Sequence, residues 1–340
     1  MKAVQYTTFG QSPELVEIEK PTPGPGEVLL RITASGLCHS DEVVMSFPEE
    51  GYPYPMPMTL GHEPAGVVEQ LGEGATGVSV GDSVIVYGCW GCGVCTMCAS
   101  GREQLCLNGM VSPGLGRDGA MAEYMIVDTA RHLVPIGDLD HVRAASLTDA
   151  ALTPYEAIKK VQHHLTGGST AVVIGAGGLG HVAIQLLREL TAARIVALDV
   201  GDEKLAFAKE MGAHEAFESN GEAAAKIKEL TDGVGADVVF DFVGIDPTGA
   251  TALAAVRVAG AVVEVGAGGG GAKVGLMTAP YDVEVRTSLW GTRSSLLELV
   301  EMAKRGQIKI ETKEYPIEDA LQAYADLHDG KVRGRAVVVP

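Results

Sequence analysis

Five of the chain's six cysteines lie in the short stretch GCWGCGVCTMCASGREQLC, a density that suggests metal binding. Cysteines separated by two residues can share one ion, and four thiolates around Zn²⁺ make a closed tetrahedral site. Spacing alone allows two sets, either Cys89, Cys92, Cys95 and Cys98 or Cys92, Cys95, Cys98 and Cys106. An iron–sulfur run would be expected to end in C-x3-C-P, which is absent here. Because a closed site has no open position for a substrate, we interpret this stretch as a structural zinc lobe.

The sixth cysteine, Cys38, stands apart in ASGLCHSDEVV, and a histidine and a carboxylate follow in TLGHEPAGVV as His62 and Glu63. A thiolate, an imidazole and a carboxylate can form an open zinc site, with water or an alcohol in the fourth position. The alternative is that Cys38 is a small buried apolar residue and that His62 is structural. From the residue types alone, both interpretations stay open.

The stretch TAVVIGAGGLGHVAIQLLREL contains the pattern G-x-G-x-x-G at Gly175, Gly177 and Gly180. It follows an apolar strand and opens a helix, where backbone N–H groups and the helix dipole can bind a pyrophosphate. The next strand in the pattern ends in Asp199, whose carboxylate would accept hydrogen bonds from the adenine ribose and repel a 2′-phosphate. We therefore predict NAD rather than NADP as the cofactor. The alternative is an ordinary glycine turn with a surface aspartate.

Two kinds of secondary structure must position these residues. Up to about residue 148, short apolar or alternating runs such as EVLLRITASG and GDSVIVYG predict a compact β domain. From about residue 150, apolar strands alternate with helices, as in TAVVIG followed by LGHVAIQLLREL, and TALAAVRVAG is predicted as helix. This alternation predicts an α/β fold with a doubly wound parallel sheet covered on both faces. The tail predicts one more helix, SLLELVEMAKRG, and a last strand, GRAVVVP.

The composition is that of a globular protein, with 46% hydrophobic and 21% charged residues, and a length of 340 residues predicts two domains. The formal net charge of −18 disfavours nucleic acid and membranes as partners, because nucleic acid and anionic membranes also carry negative charge. No apolar run reaches the roughly 20 residues needed to span a bilayer, and no signal peptide is visible. We therefore expect a cytoplasmic protein whose clustered cysteines bind metal instead of forming disulfides.

Taken together, GLCHSD, GHEPAGVVEQLG, VGDSVIV, GCGVCTMCASGREQLC and VIGAGGLGHVAIQL resemble the motifs of the zinc-dependent medium-chain alcohol dehydrogenases, in the family's order and at its spacings. The resemblance covers essentially the whole chain and is greatest to the bacterial NAD-dependent secondary alcohol dehydrogenases. It implies a GroES-like, mainly β catalytic domain at 1–149 and 290–340 and a Rossmann NAD-binding domain at 150–289.

The resemblance selects between the two cysteine sets, because relatives hold their structural zinc with the cysteines that match Cys92, Cys95, Cys98 and Cys106. Cys89 is then spare, either a small buried residue or a site of oxidation. With the catalytic ion, the resemblance implies two zinc ions per chain.

For the catalytic zinc, the resemblance implies Cys38 and His62 as ligands, with Glu63 beside the metal and able to exchange onto it. Many relatives supply a second cysteine as the third ligand, but no cysteine follows Cys106 in this chain. Asp149 occupies the matching position, as it does in the secondary alcohol dehydrogenases. The alternative for this aspartate is an N-cap at the start of the next helix.

The implied chemistry is hydride transfer between an alcohol and a nicotinamide. An alcohol bound to Zn²⁺ loses its proton more easily than in water, and zinc polarises a ketone or aldehyde in the reverse direction. Ser40 matches the hydroxyl that passes the proton toward the nicotinamide ribose. Asp41 resembles a carboxylate that orients a zinc-binding histidine.

Two positions depart from the family's pattern. Val43 stands where many relatives continue the proton relay with a histidine, and His39 stands where relatives often place an arginine on the pyrophosphate. A histidine is only partly charged near neutral pH, so we expect weaker cofactor binding.

Arg293 in GTRSS resembles the family's late arginine that pairs with the cofactor phosphates. The residues implied to bind the cofactor are Gly175, Gly177, Gly178, Leu179, Gly180, Asp199, Val265, Arg293 and His39.

Val43, Tyr54 and Trp290 are expected to line the substrate pocket, although the two aromatic residues could instead pack in the core. An apolar pocket of this kind suits small to medium secondary alcohols and ketones, and also primary alcohols and aldehydes. A polyol or threonine dehydrogenase on the same scaffold is the nearest rival, and it would need polar pocket groups. A zinc-ribbon binding module or a structural protein is the non-enzyme alternative.

The resemblance also implies a homo-oligomer, a dimer or tetramer formed through the cofactor domain.

Overall fold

The computed structural model describes all residues, 1–340, and divides into two compact units. The first unit consists of Met1–Leu152 and Thr292–Pro340, and the second of Thr153–Gly291. The chain therefore leaves the first unit once and returns to it with its last segment.

Strands and helices are numbered here in chain order. The strands are β1 (Lys2–Tyr6), β2 (Glu14–Glu17), β3 (Val28–Gly36), β4 (Met58–Thr59), β5 (Glu63–Leu71), β6 (Ser83–Val86), β7 (Tyr124–Val127), β8 (Leu133–Pro135), β9 (Thr170–Ile174), β10 (Arg194–Asp199), β11 (Glu215–Glu218), β12 (Ala236–Asp241), β13 (Val256–Glu264), β14 (Glu284–Thr287), β15 (Thr312–Pro316) and β16 (Arg335–Val339). The α-helices are α1 (His39–Ser46), α2 (Thr96–Ala99), α3 (His141–Ala145), α4 (Leu152–Val161), α5 (Gly180–Leu190), α6 (Asp202–Glu210), α7 (Ala223–Leu230), α8 (Asp246–Ala255), α9 (Arg293–Lys304) and α10 (Ala320–His328).

The first unit is built around β3. One sheet has the order β15-β16-β3-β5-β6-β8, with β7 also paired to β3, and a small sheet has the order β2-β1-β4. Val28, Leu30 and Ile32 alternate along β3 and pack in one buried cluster with Val84 and Val86 of β6, as the two-residue period of a strand requires. This is the compact β domain that the alternating runs predict.

The second unit contains a six-stranded parallel sheet in the order β11-β10-β9-β12-β13-β14. Counted within the unit, the order is 3-2-1-4-5-6, that of a doubly wound sheet whose ligands bind at the carboxyl ends of the strands. Val172 and Ile174 of β9 share a buried core with Val196 and Leu198 of β10. The predicted α/β fold class is confirmed.

Local predictions were wrong in two places. The segment TALAAVRVAG is not one helix, because α8 begins earlier, at Asp246, and ends at Ala255, and β13 starts at Val256. Parallel pairing with β12 outweighs the helical pattern of this segment, and β-branched residues favour the strand. The tail contains β15 and α10 in addition to the predicted helix and strand. The edge strand β15, TKEYP, is largely polar, so its sequence gives little strand signal.

Candidate functional site

Three strand ends meet at one point of the first unit. In the antiparallel pair of β3 and β5, Gly36 lies opposite Glu63, and β16 pairs with the same end of β3. Cys38 follows the end of β3, His62 directly precedes β5, and Arg335 begins β16. The strand register therefore brings together side chains that are far apart in the sequence.

Cys38, His62 and Asp149 form a buried cluster whose potential ligand atoms all lie within 4.8 Å of one another. The Nε2 atom of His62 is 3.8 Å from an Oδ atom of Asp149. A thiolate, an imidazole and a carboxylate are zinc ligands, and three such ligands leave a fourth tetrahedral position for water or substrate. Asp149 precedes the first residue of α4 by three positions and is not its N-cap. The donor set fits a catalytic zinc ion.

Asp41 orients the imidazole of this cluster. Its Oδ1 atom is 3.0 Å from Nδ1 of His62, and its Oδ2 atom accepts a hydrogen bond of 3.2 Å from the backbone N–H of Cys38. Asp41 is completely buried. A carboxylate on Nδ1 fixes the ring and leaves Nε2 as the atom available to a metal.

The charges in the cluster favour a cation. Burial alone would lower the pKa of the His62 imidazole, but the acidic groups of Asp41, Asp149 and Cys38 raise it well above its ordinary value. A metal that binds Nε2 must displace the proton held there, so metal affinity is expected to fall as the pH is lowered.

Arg335 is the functional residue that the sequence analysis missed. Its guanidinium forms an ion pair with Oε1 of Glu63, and its Nε atom lies 3.2 Å from Oε2 of the same carboxylate. It also donates a hydrogen bond of 3.0 Å to Asp149. Arg335 is 3% exposed and Glu63 is fully buried. The structure thus places Glu63, which was expected beside the metal, on Arg335 with both carboxylate oxygens.

Gly61 shapes the turn that delivers His62. Its φ of +93° lies in the left-handed region, which glycine adopts without strain. A side chain at this position would also approach Oγ of Ser35 to 2.6 Å and the backbone nitrogen of Met121 to 2.8 Å. Both observations explain why glycine precedes the histidine.

The cysteine lobe brings together the second of the two sets allowed by spacing, Cys92, Cys95, Cys98 and Cys106. The Sγ atoms of Cys95 and Cys98 are 3.5 Å apart, and the Cys92–Cys98 and Cys95–Cys106 pairs are 4.0 Å apart. Thiolates bound to one zinc ion at tetrahedral angles are about 3.8 Å apart. Cys89 is buried outside this set. The geometry fits a closed, structural zinc site.

Backbone N–H groups favour the thiolate form of one cysteine in this lobe. Hydrogen bonds from the backbone of Val94 and Cys95 lower the pKa of the Cys92 thiol to about 6, which favours the thiolate that binds zinc. Burial instead raises the pKa of Cys98 to about 12. Zinc binding must therefore release a proton from Cys98.

Substitution of Cys106 by serine is expected to remove the lobe's zinc and to lower the melting temperature by about 5–10 °C. A structural zinc contributes several kcal/mol to folding. Each kcal/mol of lost stability lowers the melting temperature by roughly 2–4 °C in a domain of this size. The measurements are zinc content and thermal unfolding, with Cys89→Ala as the control that should keep its full zinc content. Unchanged zinc content in Cys106→Ser, or lost turnover at unchanged stability, would refute the structural role.

Helix α1 presents the remaining predicted residues of the first site. Oγ of Ser40 is 3.5 Å from Sγ of Cys38, close enough for a hydroxyl beside a metal-bound substrate. His39 is exposed, with Nε2 3.9 Å from the carboxylate of Glu42. Val43 is 36% exposed. These three residues follow Cys38 on one short helix, and Ser40 is the one beside its thiol.

The two aromatic pocket candidates lie in different units. Tyr54 contacts the ring of Tyr52 edge-on, with centroids 5.6 Å apart, and packs partly buried against a core cluster of the first unit. Trp290 belongs to the second unit, is buried, and has a φ of +46°. A bulky residue in this left-handed conformation is strained, and such strain is concentrated at functional sites.

In the second unit, the glycine pattern forms the turn from β9 to α5. Gly175 has a φ of +87°, and a side chain at Gly180 would overlap the carbonyl group of Gly175. Gly177, Gly178 and Leu179 are exposed or half-buried between them, and a side chain at Gly177 would meet open space. Free backbone N–H groups at the start of a helix form the anion site that a pyrophosphate requires.

Asp199 ends β10 beside this turn and is 8% exposed. Its two carboxylate oxygens accept hydrogen bonds from the backbone N–H groups of Ala176, at 2.6 Å, and Val200, at 2.7 Å. Asp199, Gly175 and the side chain of Ile245 line a cavity of about 420 Å³. A carboxylate beside an apolar cavity of this size suits the adenosine part of a dinucleotide.

The last two predicted cofactor residues are in separate units. Val265 follows β13 in the second unit, and its N–H donates a hydrogen bond of 2.9 Å to the carbonyl of Asp241. Arg293 begins α9 in the first unit, and its Nη2 donates a hydrogen bond of 3.1 Å to the carbonyl of Leu133. His39 also belongs to the first unit.

No helix of the chain combines the length and the apolar character needed to cross a membrane.

Two protein-family models match the chain. The model described as the alcohol dehydrogenase GroES-like domain matches residues 24–138, and the model described as zinc-binding dehydrogenase matches residues 178–305. The first match lies within the first unit, and the second runs from the glycine turn to the end of α9.

Curated relatives and a solved structure match over the full length. An NAD-dependent alcohol dehydrogenase of Sulfurisphaera tokodaii is 36% identical, with 100% of each chain covered. A D-arabinose 1-dehydrogenase (NADP(+)) of Saccharolobus solfataricus is 33% identical, with 100% of this chain and 97% of the relative covered. The crystal structure of the alcohol dehydrogenase from Aeropyrum pernix superimposes with a TM-score of 0.93 at 32% identity, and 100% of both chains is covered.

Proposed function

Because this chain belongs to the family of zinc-binding alcohol dehydrogenases, we propose that it oxidises small secondary alcohols to ketones with NAD and catalyses the reverse reduction. The observation on which this proposal rests is the buried cluster of Cys38, His62 and Asp149. The three potential ligands are of different types. Asp41 forms a hydrogen bond with His62, and Arg335 forms one with Asp149. Three ligands arranged in this way are typical of a catalytic metal site with an open coordination position.

A zinc ion held by these three side chains would lower the pKa of an alcohol and polarise a carbonyl group. Asp41 keeps Nε2 of His62 directed at the cluster, and Arg335 limits the repulsion between Glu63 and Asp149. The Ser40 hydroxyl can accept a proton from the substrate oxygen and donate its own, since a hydroxyl is both donor and acceptor. We propose a second, structural zinc ion in the cysteine lobe, which makes two per chain.

For the cofactor, we propose that the Asp199 carboxylate selects NAD by binding the ribose hydroxyls. An Asp199→Gly variant is expected to raise the ratio of kcat/KM for NADP over NAD by on the order of 10–100-fold, because the repulsion of a 2′-phosphate is lost. Asp199→Asn is the matched variant, since it removes the charge and keeps the size of the side chain. Initial rates with both cofactors measure the ratio. An unchanged preference in both variants would contradict the role of Asp199.

The substrate class is tested by NADH formation from a panel of alcohols. We expect higher kcat/KM for 2-propanol, 2-butanol and cyclohexanol than for sorbitol, threonine or D-arabinose, because the proposed pocket residues of the first unit, Val43 and Tyr54, are largely apolar. The 33% identical relative named as a D-arabinose 1-dehydrogenase makes sugar oxidation the second candidate. Preference for D-arabinose or sorbitol would establish that candidate instead. A zinc-loaded protein that turns over none of them would favour a binding or structural role.

We also propose that the chain forms a homo-oligomer through the second unit. Leu276, Met277 and Tyr281 lie close together in the sequence there and are 80%, 85% and 62% exposed. Large apolar side chains exposed on one segment favour an interface between proteins. Light scattering coupled to gel filtration is expected to give a dimer or a tetramer, and a monomer at micromolar concentration would contradict the proposal.

A further inference from the structure

A third group of potential metal ligands lies in the second unit, outside the glycine turn. His163, His164 and Glu284 each offer one ligand atom, and these atoms lie within 4.8 Å of one another. We call these three residues the His–His–Glu cluster. They belong neither to the cysteine lobe nor to the group around His62.

Two elements of the second unit position the cluster. The two histidines lie in the 3₁₀ turn Gln162–His164 that directly follows α4. Glu284 is the first residue of β14, the edge strand of the parallel sheet. An ion held by the cluster would therefore link the end of α4 to the edge of the sheet.

The distances within the cluster fit one ion. Nε2 of His163 is 3.8 Å and Nε2 of His164 is 3.4 Å from the same oxygen, Oε1 of Glu284. Nitrogen and oxygen ligands at tetrahedral angles around Zn²⁺ are about 3.3 Å apart. Nε2 of His164 is within hydrogen-bond distance of this oxygen, but 3.8 Å is too long for a hydrogen bond from His163. Hydrogen bonding alone therefore does not explain why both imidazoles approach one oxygen.

Glu284 is held in the orientation that this role requires. Its other oxygen, Oε2, accepts a hydrogen bond of 2.6 Å from Nη2 of Arg286, and Nη1 of the same guanidinium donates one of 3.2 Å to the carbonyl of Lys160. The arginine thus fixes the carboxylate and leaves Oε1 directed at the imidazoles. Carboxylates and histidines that bind metals are commonly oriented by such outer hydrogen bonds.

The cluster is accessible to ions from solution. The side chains of His163, His164 and Glu284 are 61%, 12% and 40% exposed, so water molecules can complete the coordination. Two imidazoles with one carboxylate match zinc and the neighbouring transition metals, whereas magnesium and calcium prefer sites made of oxygen ligands alone.

We propose that His163, His164 and Glu284 form an additional binding site for a divalent transition metal, with Zn²⁺ as the ion it takes. This site does not depend on the dehydrogenase activity or on either of the other zinc sites. The bound ion ties α4 to β14 in the folded state only, and so it stabilises the second unit.

The test uses the zinc-loaded full-length protein, so that exchange at the other two sites does not alter the zinc count. After free zinc is removed, equilibrium dialysis against increasing Zn²⁺ is expected to show one further ion bound per chain. Loss of a residue that only hydrogen-bonds a ligand costs about 10–100-fold in metal affinity. His164→Ala, which removes a ligand itself, is therefore expected to weaken the additional site at least tenfold. His163→Ala is expected to do the same, and its exposed position makes misfolding a poor explanation.

His328→Ala is the matched control. His328 is also exposed and lies 3.1 Å from a carboxylate oxygen, that of Glu42, but it belongs to the first unit. This variant is expected to bind the additional ion like the unaltered protein.

A second readout is the melting temperature, which added Zn²⁺ should raise in the unaltered protein and in His328→Ala but not in His164→Ala. The proposal is overturned if no further ion binds, or if the further ion binds His164→Ala and His163→Ala as tightly as the unaltered protein. Because zinc binding is measured without substrate, failure of this site and failure of the proposed dehydrogenase activity are distinguishable.

Discussion

Substitution of His62 by alanine is expected to lower kcat/KM by at least about 10³-fold, because the Lewis-acid contribution of a catalytic metal is worth several kcal/mol. His62 is buried, and Asp41, 3.0 Å from its Nδ1 atom, fixes the ring. No other histidine belongs to this cluster. Removal of the ring leaves only a thiolate and a carboxylate as ligands. Two ligands are too few to keep the zinc ion from dissociating into solution.

The metal content separates this effect from simple misfolding. His62→Ala is expected to contain one zinc ion fewer per chain and to retain the ion in the cysteine lobe. Circular dichroism should remain that of the unaltered protein. His328→Ala, an exposed histidine outside the cluster, serves as the control with full activity and full zinc content. Turnover that survives in His62→Ala at reduced zinc content would show that the catalytic group lies elsewhere.

Arg335→Met is expected to lower the free energy of unfolding by about 3–5 kcal/mol, the cost of leaving a buried charge without its partner. The guanidinium is paired with Glu63 and hydrogen-bonded to Asp149, and all three residues are buried. Without it, the buried Glu63 carboxyl loses its ion-pair partner and stays out of contact with water. Urea unfolding at neutral pH measures the loss.

The pH dependence of the Arg335→Met variant has a defined sign. Burial raises the pKa of the Glu63 carboxyl above its ordinary value of 4.5, and Arg335 opposes that shift. Without the arginine, the folded state holds the Glu63 proton to higher pH than the unfolded state does. Stability is then lost as the pH rises from about 4.5 through the folded-state pKa. The deficit relative to the unaltered protein should therefore be smaller in mild acid.

The double variant Arg335→Met with Glu63→Gln is the matched control. It removes the uncompensated charge together with its partner, and replacing both members of a buried ion pair is often close to neutral. More than half of the lost stability is expected to return. Equal instability of the single and double variants, or a loss below about 1 kcal/mol in the single variant, would mean that the pair is not structurally important.

The fold class of this chain could be predicted from its sequence, and the family could be predicted from local motifs. The glycine pattern at Gly175 predicts a dinucleotide site because that function needs a local motif, whereas the metal role of Cys38 and His62 was predicted only from the resemblance to the family. The doubly wound sheet follows from the alternation of apolar strands and helices, and it is confirmed. The boundary between α8 and β13 was missed because alanine and valine occur in both elements, and only pairing with β12 decides between them.

The contacts of Arg335 could not be predicted from the sequence, because they depend on the pairing of distant strands. Arg335 is separated from Glu63 by 272 positions, and it reaches the carboxylate only because β16 pairs with the end of β3. Its one local signal is a charged residue at the start of an otherwise apolar strand, RAVVV. Spacing likewise allowed two cysteine sets, and the fold of the lobe brings Cys106 rather than Cys89 to the other three.

Anomalous diffraction at the zinc edge, from crystals of the purified protein, addresses the open metal site itself. We predict a peak at bonding distance from Sγ of Cys38, Nε2 of His62 and a carboxylate oxygen of Asp149, about 2.0–2.3 Å from each. The fourth ligand is expected to be a water molecule or an alcohol. An empty map between these side chains, or an ion enclosed by four protein ligands, would contradict the proposed catalytic centre.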